Sequence, residues 1–501
     1  MLPRADEELV RPLLAQVSRF ALESIDARAI DRASAIPQRV LAGMGELGLF
    51  GLTLPEEFGG SGCSLPVACS AVAELARADR SVAVTLGLHL GLGTRGLVAL
   101  GTRAQHERYL PTLASGNCIA AFATTEPGAG SDLSALQTRA LDDGTALVVN
   151  GQKIYVTNGG LAGLYTLAVS TPGLGGSARG QSLLLIERGD AGLRVEAEEH
   201  KLGLRGSSTT GLSLEEMRLP YSRVLGEAGG GARALGMILS WGRTLMSAGC
   251  CGAARVALEK TVAHVAERRQ FGKPLAALEV VREQMARLTA RAFAMEALVD
   301  EVSRESAETL LVRSLAAKVF SSESAWMVVD GAIQLHGGLG FIEDTGLAMM
   351  LRDVRITRIF EGANDVLLSH LGAGELLRAT ARTPLASSLV EGALASAAKD
   401  ADALAAQVDS LRQSLHARFR VGVFRQPRWL HRLGRACMWR EAIDASVRRA
   451  IRSGRTDEIA QVALLTQEAR VEVAALASEP SARELVEQCL AQALPLPEVR
   501  A

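Results

Sequence analysis

Residues 145–157 read TALVVNGQKIYVT, and this stretch decides the fold class because it interrupts a pattern that is otherwise helical. Its β-branched residues flank Asn150-Gly151, a dipeptide whose easy access to positive φ suits a two-residue turn, so the stretch predicts a tight hairpin. The β signal extends from about Ala120 to Val224, with 182–187 and 212–214 as further strand candidates. From Glu7 to about Gly116 apolar residues recur at three and four spacing, as in 40–50 and 65–75, with breaks at Pro55 and Gly59-Gly60. Long amphipathic helices return between Gly231 and Ala379, clearest in 232–269 and 310–336. A helical tail follows Thr383-Pro384. No β-α alternation builds a parallel sheet, so the expected class is α+β, mostly α. The expected divisions are an N-terminal helical domain (1–118), a middle β-domain (119–227), a C-terminal helical domain (228–382) and an extra helical domain (383–501).

A chain of 501 residues with a formal net charge of −1 is larger than one hydrophobic core supports and lacks the basic surplus of a nucleic-acid binder. Its seven cysteines contain no C-x-x-C pair, which argues against a disulfide framework and against a zinc site, and no metal is expected. Adjacent Cys250 and Cys251 read as small buried residues of a helix. Residues 1–17 carry acids and no uninterrupted apolar run, and no stretch reaches the length of a membrane span, so a soluble, cytoplasmic protein is expected. Gly91-Leu92-Gly93-Thr94-Arg95-Gly96 fits G-x-G-x-x-G behind a strand-like 82–86. The β-α-β surroundings of a dinucleotide site are missing, and these glycines read better as points of close helix packing or of room for a ligand.

The chemistry is carried by five segments. AFATTEPGAGSD (121–132) is a loop rich in glycine and hydroxyls whose N–H groups can face a planar or anionic ligand. KIYVTNGG (153–160), RRQFGKP (268–274), IQLHGGLGF (333–341) and RIFEGAND (358–365) follow. In this order and spacing the segments resemble the acyl-CoA dehydrogenase family over about residues 44–371. Thr124-Thr125-Glu126, AAKVF (316–320), Ala325-Trp326 and RIFEGAND are most similar to its very-long-chain branch, which also carries an extra C-terminal helical domain. The resemblance implies a barrel-like middle domain, a C-terminal four-helix bundle and FAD as cofactor.

It also implies roles. Phe122, Thr124 and Thr125 line the flavin, Ser131 meets the diphosphate and substrate side, Tyr155 covers one flavin face, and Thr157 donates at N5. Arg268 grips a phosphate with its planar fork. In the family that arginine, Phe271, Gln334 and Gly338 come from the neighbouring subunit, so a homodimer is expected. Glu361 is the base that removes the α-proton. Gly242 occupies the position from which some relatives supply the base instead. Arg243 orders the substrate side, and Gly362 leaves room for the thioester. Ala363 stands where a threonine is common, leaving Asn364 and Asp365 to meet the cofactor.

The implied reaction is dehydrogenation of a fatty acyl-CoA to the trans-2-enoyl-CoA, with electrons passed to an electron-transfer flavoprotein. Oxidation of an acyl group on a carrier protein, an oxidase, and a flavoprotein used as an assembly partner are the alternatives. Gly93 and Gly96 are expected to leave a deep acyl tunnel open for long chains. Residues 418–440 interleave arginines with Phe419, Phe424, Trp429, Leu430 and Trp439. They suit either peripheral membrane contact or packing on the subunit itself or on its dimer partner.

Overall fold

The computed structural model describes residues 4–174, 180–378, 382–386 and 392–477. Seven helices come first: α1 (Arg4–Ser24), α2 (Ala27–Ala33), α3 (Gln38–Glu46), α4 (Leu65–Ala78), α5 (Arg80–Leu88), α6 (Arg95–Leu100) and α7 (Arg103–Ala114). Their starts follow from local chemistry. Asp79 caps α5 by accepting the Val82 N–H at 2.8 Å, and Thr102 with Gln105 forms a reciprocal capping box on α7. The G-x-G-x-x-G stretch is helical, a wide turn at His89–Gly93 joining α5 to α6. The span Arg80–Leu100 is therefore long and apolar enough to cross a membrane, contrary to the reading of the sequence, but 78% of that apolar window is buried inside the protein, as befits a core helix.

Eight strands follow: β1 (Ile119–Ala123), β2 (Arg139–Asp142), β3 (Leu147–Thr157), β4 (Ala162–Ser170), β5 (Gln181–Glu187), β6 (Leu193–Glu198), β7 (Thr209–Leu219) and β8 (Val224–Leu225). They form one sheet in the order β6-β7-β3-β2-β4-β5-β8, with β1 parallel to β4. The hairpin expected at Asn150-Gly151 is not there, because both residues lie inside β3. The turn is made earlier, where Asp143 Oδ1 accepts the N–H groups of Thr145 and Ala146 (both 2.9 Å) and Gly144 takes φ +87°. Gly151 instead marks a bulge against β7, and a Cβ there would stand 2.5 Å from Thr138 Oγ1.

Helices then return as α8 (Gly231–Glu267), a two-strand ribbon of β9 (Arg269–Gln270) and β10 (Lys273–Pro274), α9 (Glu279–Val302), α10 (Ala307–His336), α11 (Gly338–Phe341), α12 (Leu347–Arg355) and α13 (Asn364–Leu377). The tail supplies α14 (Ala393–Phe419), α15 (Pro427–Ser453) and α16 (Thr456–Ala477), and the expected remainder of that domain, 478–501, lies outside the described residues. Within 418–440, Leu430 and Trp439 are buried, Trp439 edge-on to Phe320 at 5.5 Å, so much of this segment's apolar side packs on its own chain. A buried Arg80–Asp353 pair (3.0 Å), whose Asp353 Oδ1 also accepts the Leu204 N–H at 2.7 Å, ties α5, the sheet domain and α12 together.

Candidate active site

Glu361 sits in the turn between α12 and α13, where two successive residues have positive φ, 55° at Glu361 and 102° at Gly362. Only glycine suits the second position, since a Cβ on Gly362 would also stand 2.7 Å from Leu367 Cδ2. A non-glycine residue at positive φ persists only where its surroundings hold it. Here Arg243 Nε of α8 donates to the Glu361 carbonyl at 3.1 Å, and Lys318 Nζ of α10 donates to the Gly362 carbonyl and to Asn364 Oδ1, both at 2.8 Å. Asn364 in turn donates to Ser322 Oγ (3.0 Å) and Glu323 Oε1 (2.6 Å), and Arg358 Nε reaches the same Glu323 oxygen at 2.9 Å.

Although Glu361 as a residue is half-buried, both oxygens of its carboxylate are buried and neither has a hydrogen-bond partner. Burial lifts its carboxyl to about 7, against the opposing pull of Arg243 and Lys318. A base poised near neutrality, with its lone pairs uncommitted, is what proton abstraction from carbon requires. Gly242 belongs to the same site: a Cβ there would lie 3.0 Å from Glu361 Oε2 and 2.4 Å from Leu92 Cδ2. The two positions open on one point in space, so a carboxylate at one leaves no room for a second at the other.

The carboxylate faces a narrow, almost wholly apolar cavity. Val72 and Ala76 of α4, Ala83, Val84, Gly87 and Leu88 of α5, Leu245, Met246, Gly249, Cys250 and Ala253 of α8, and Phe360 line it, with the Arg80–Asp353 pair on the wall. Burial pushes the Cys250 thiol up to about 12, so it is an inert part of that wall. Gly93 and Gly96 do not line the cavity. A Cβ on Gly93 would stand 2.7 Å from Ala120 Cβ, and one on Gly96 2.8 Å from Ile238 Cδ1, so both glycines serve close packing and the tunnel expected there is filled by protein. The open positions are Gly87 and Gly249, whose added Cβ atoms would each meet nothing closer than Val72 at 3.8 Å. Their only sequence signal is a glycine inside an apolar helix.

The residues that the resemblance assigns to a flavin fall into groups. Phe122 is buried at the end of β1, with Thr124 and Thr125 just beyond it, and the Thr125 carbonyl accepts the Ile154 N–H (2.9 Å) from β3, the strand of Tyr155 and Thr157. The hydroxyls of Thr124, Thr125 and Thr157 have no partner among the described residues, and Tyr155, at φ 56°, is 63% exposed. Free hydroxyls beside a buried aromatic fit the edge of a planar heterocycle. Ser131 is exposed on the loop that follows. Beneath this loop lies a pair that sequence reading passed over: Lys153, fully buried, donates to Glu126 Oε1 at 2.6 Å and to the Thr124 carbonyl at 3.1 Å, while Glu126 accepts the N–H groups of Gln137 (2.6 Å) and Thr138 (3.1 Å).

A second group lies at the far ends of α8 and α10, where stacked His264 and His336 rings (4.2 Å) join the two helices. Arg268, Phe271, Gln334 and Gly338 are all exposed there, and no hydrogen bond or ion pair links them to the Thr124–Thr157 group. Ala363 precedes α13, and exposed Asp365 meets His431 at 3.2 Å.

Compared with known proteins, residues 7–117, 121–217 and 229–376 match the N-terminal, middle and C-terminal domains of acyl-CoA dehydrogenase. The human mitochondrial very long-chain specific acyl-CoA dehydrogenase is 36% identical over 72% of this chain and 56% of its own length, so the chain spans little more than half of that relative. An acyl-CoA dehydrogenase of Bacillus subtilis is 35% identical over 68% of this chain and 90% of its own. The crystal structure of an acyl-CoA dehydrogenase complexed with FAD from Bacillus anthracis superposes with a TM-score of 0.86 at 26% identity, covering 97% of this chain and 91% of that one.

Proposed function

Because the chain belongs to the acyl-CoA dehydrogenase family, we propose that it dehydrogenates a fatty acyl-CoA between the α and β carbons, with FAD as cofactor and Glu361 as the base. The observation that carries this reading is the buried, unpaired carboxylate of Glu361 facing an apolar cavity.

Each part of the chain then has a task. The cavity takes the acyl chain and excludes water from it, each buried methylene contributing about 0.8 kcal/mol. The Glu361 N–H, which donates to no described acceptor, is free to bind the thioester carbonyl and stabilise the charge that develops as the α-proton leaves. The proton passes to a Glu361 carboxylate oxygen, and Arg243 keeps the turn in register through the Glu361 carbonyl. Bound FAD supplies the acceptor for the hydride that departs the β-carbon, which makes the product a trans-2-enoyl thioester. Phe122, Thr124, Thr125, Ser131, Tyr155 and Thr157 would hold one side of it, and Arg268, Phe271, Gln334 and Gly338 would serve the cofactor of a second subunit. Electrons leave to an electron-transfer flavoprotein.

The test is anaerobic flavin bleaching by a saturating long-chain acyl-CoA, comparing wild type with Glu361→Gln. Glutamine keeps the size and the N–H but accepts no proton, so a loss of about 10²-fold or more is expected at full FAD occupancy. A loss smaller than about tenfold assigns the base elsewhere.

A further inference from the structure

Lys318 is fully buried, and none of the described carboxylates forms an ion pair with it. Its two partners are neutral acceptors, the Gly362 carbonyl and Asn364 Oδ1. A buried ammonium without a counter-ion is costly unless its charge is used. Burial lowers the Lys318 ammonium to about 8, and the negative charge of Glu361 opposes that shift. Arg243 holds the carbonyl of Glu361 and Lys318 the carbonyl of the next residue, so the two cations grip adjacent peptide groups of the positive-φ turn.

We propose that Lys318 is a positioning residue for proton abstraction: its ammonium holds the Glu361–Gly362 turn and supplies the positive field that keeps the carboxylate available as an anion. The inference rests on Glu361 being the base. The other titratable groups around the carboxylate are Arg243 and Cys250 of α8, with Glu323 of α10 behind Asn364, His370 of α13 facing Arg243, and the Arg80–Asp353 pair on the cavity wall. Cys250 is a neutral thiol and Arg80–Asp353 a closed pair, which leaves Lys318 and Arg243 as the cations that oppose burial of the carboxylate.

The experiment measures anaerobic flavin reduction against pH in wild type, Lys318→Met and Lys318→Gln, with Glu361→Gln in parallel. Methionine removes both the charge and the hydrogen bonds, whereas glutamine removes the charge and keeps a donor for the Gly362 carbonyl. In both variants the midpoint of the rate profile should move up by about one pH unit or more, the usual effect of a neighbouring opposite charge, with the rate recovering at alkaline pH. The glutamine variant should recover further. An unchanged midpoint in either variant, or loss of flavin from both, overturns the inference. Activity retained by Glu361→Gln overturns the base assignment instead, so the two failures are distinguishable.

Discussion

The Glu361 carboxylate is buried without a hydrogen bond, and that burial weakens the fold in a pH-dependent way. An unperturbed glutamate titrates near 4.5, and this one near 7. Between those values the native state keeps a proton that the unfolded chain has released, so stability falls as pH rises through the window and the full penalty is present above about 7. Glu361→Gln is therefore expected to be more stable than wild type by about 1–3 kcal/mol at pH 8 and equal to it near pH 4, checked by urea unfolding at both. The two pairs of glycines make opposite predictions. A methyl at Gly87 meets only ordinary contacts, so Gly87→Ala should gain about 0.5–1 kcal/mol from helix propensity while shifting any acyl-chain preference toward shorter chains. Gly93→Ala and Gly96→Ala force overlaps and should lose about 1–3 kcal/mol without changing chain-length preference.

At the scale of elements, β1, its following loop and β3 are joined by the buried Lys153–Glu126 pair, which reaches the Thr124 carbonyl from below. Removing one partner strands the other charge in the interior, so Lys153→Met should cost about 3–5 kcal/mol in chemical denaturation and weaken FAD binding. Lys153→Met combined with Glu126→Gln should recover part of both, and no recovery would show that the lysine acts alone. The same strand shows where sequence reading fails. Asn150-Gly151 carries the hairpin signature, yet tight approach of Thr138 makes its glycine a bulge residue, and Asp143-Gly144 takes the turn because Asp143 can satisfy two N–H groups there.

The whole molecule leaves an apolar end uncovered. Phe271 is 90% exposed and Phe341 81%, with Leu339 and Ile342 also exposed beside the latter. Large apolar side chains left in water mark an association surface. We expect a homodimer through this end, and Phe271→Asp should yield a smaller species by sedimentation together with loss of bound FAD. In the 418–440 segment, Val421 and Phe424 are the strongly exposed apolar residues, beside exposed Arg420, Arg425 and Arg428, so any lipid-facing surface there is confined to the rim of the helical tail.

The sequence by itself determined the order of helices, sheet and helices, because hydrophobic periodicity is local, and the family resemblance carried by its contiguous segments implied roles for Glu361 and Arg243. It could not say that Gly87 and Gly249, 162 positions apart, open one cavity while Gly93 and Gly96 are filled. Nor could it say that Lys318, 43 residues before Glu361, grips the carbonyl of Gly362 beside it. Those facts depend on which helix faces pack together, and packing couples residues by distance in space, which a linear pattern does not contain.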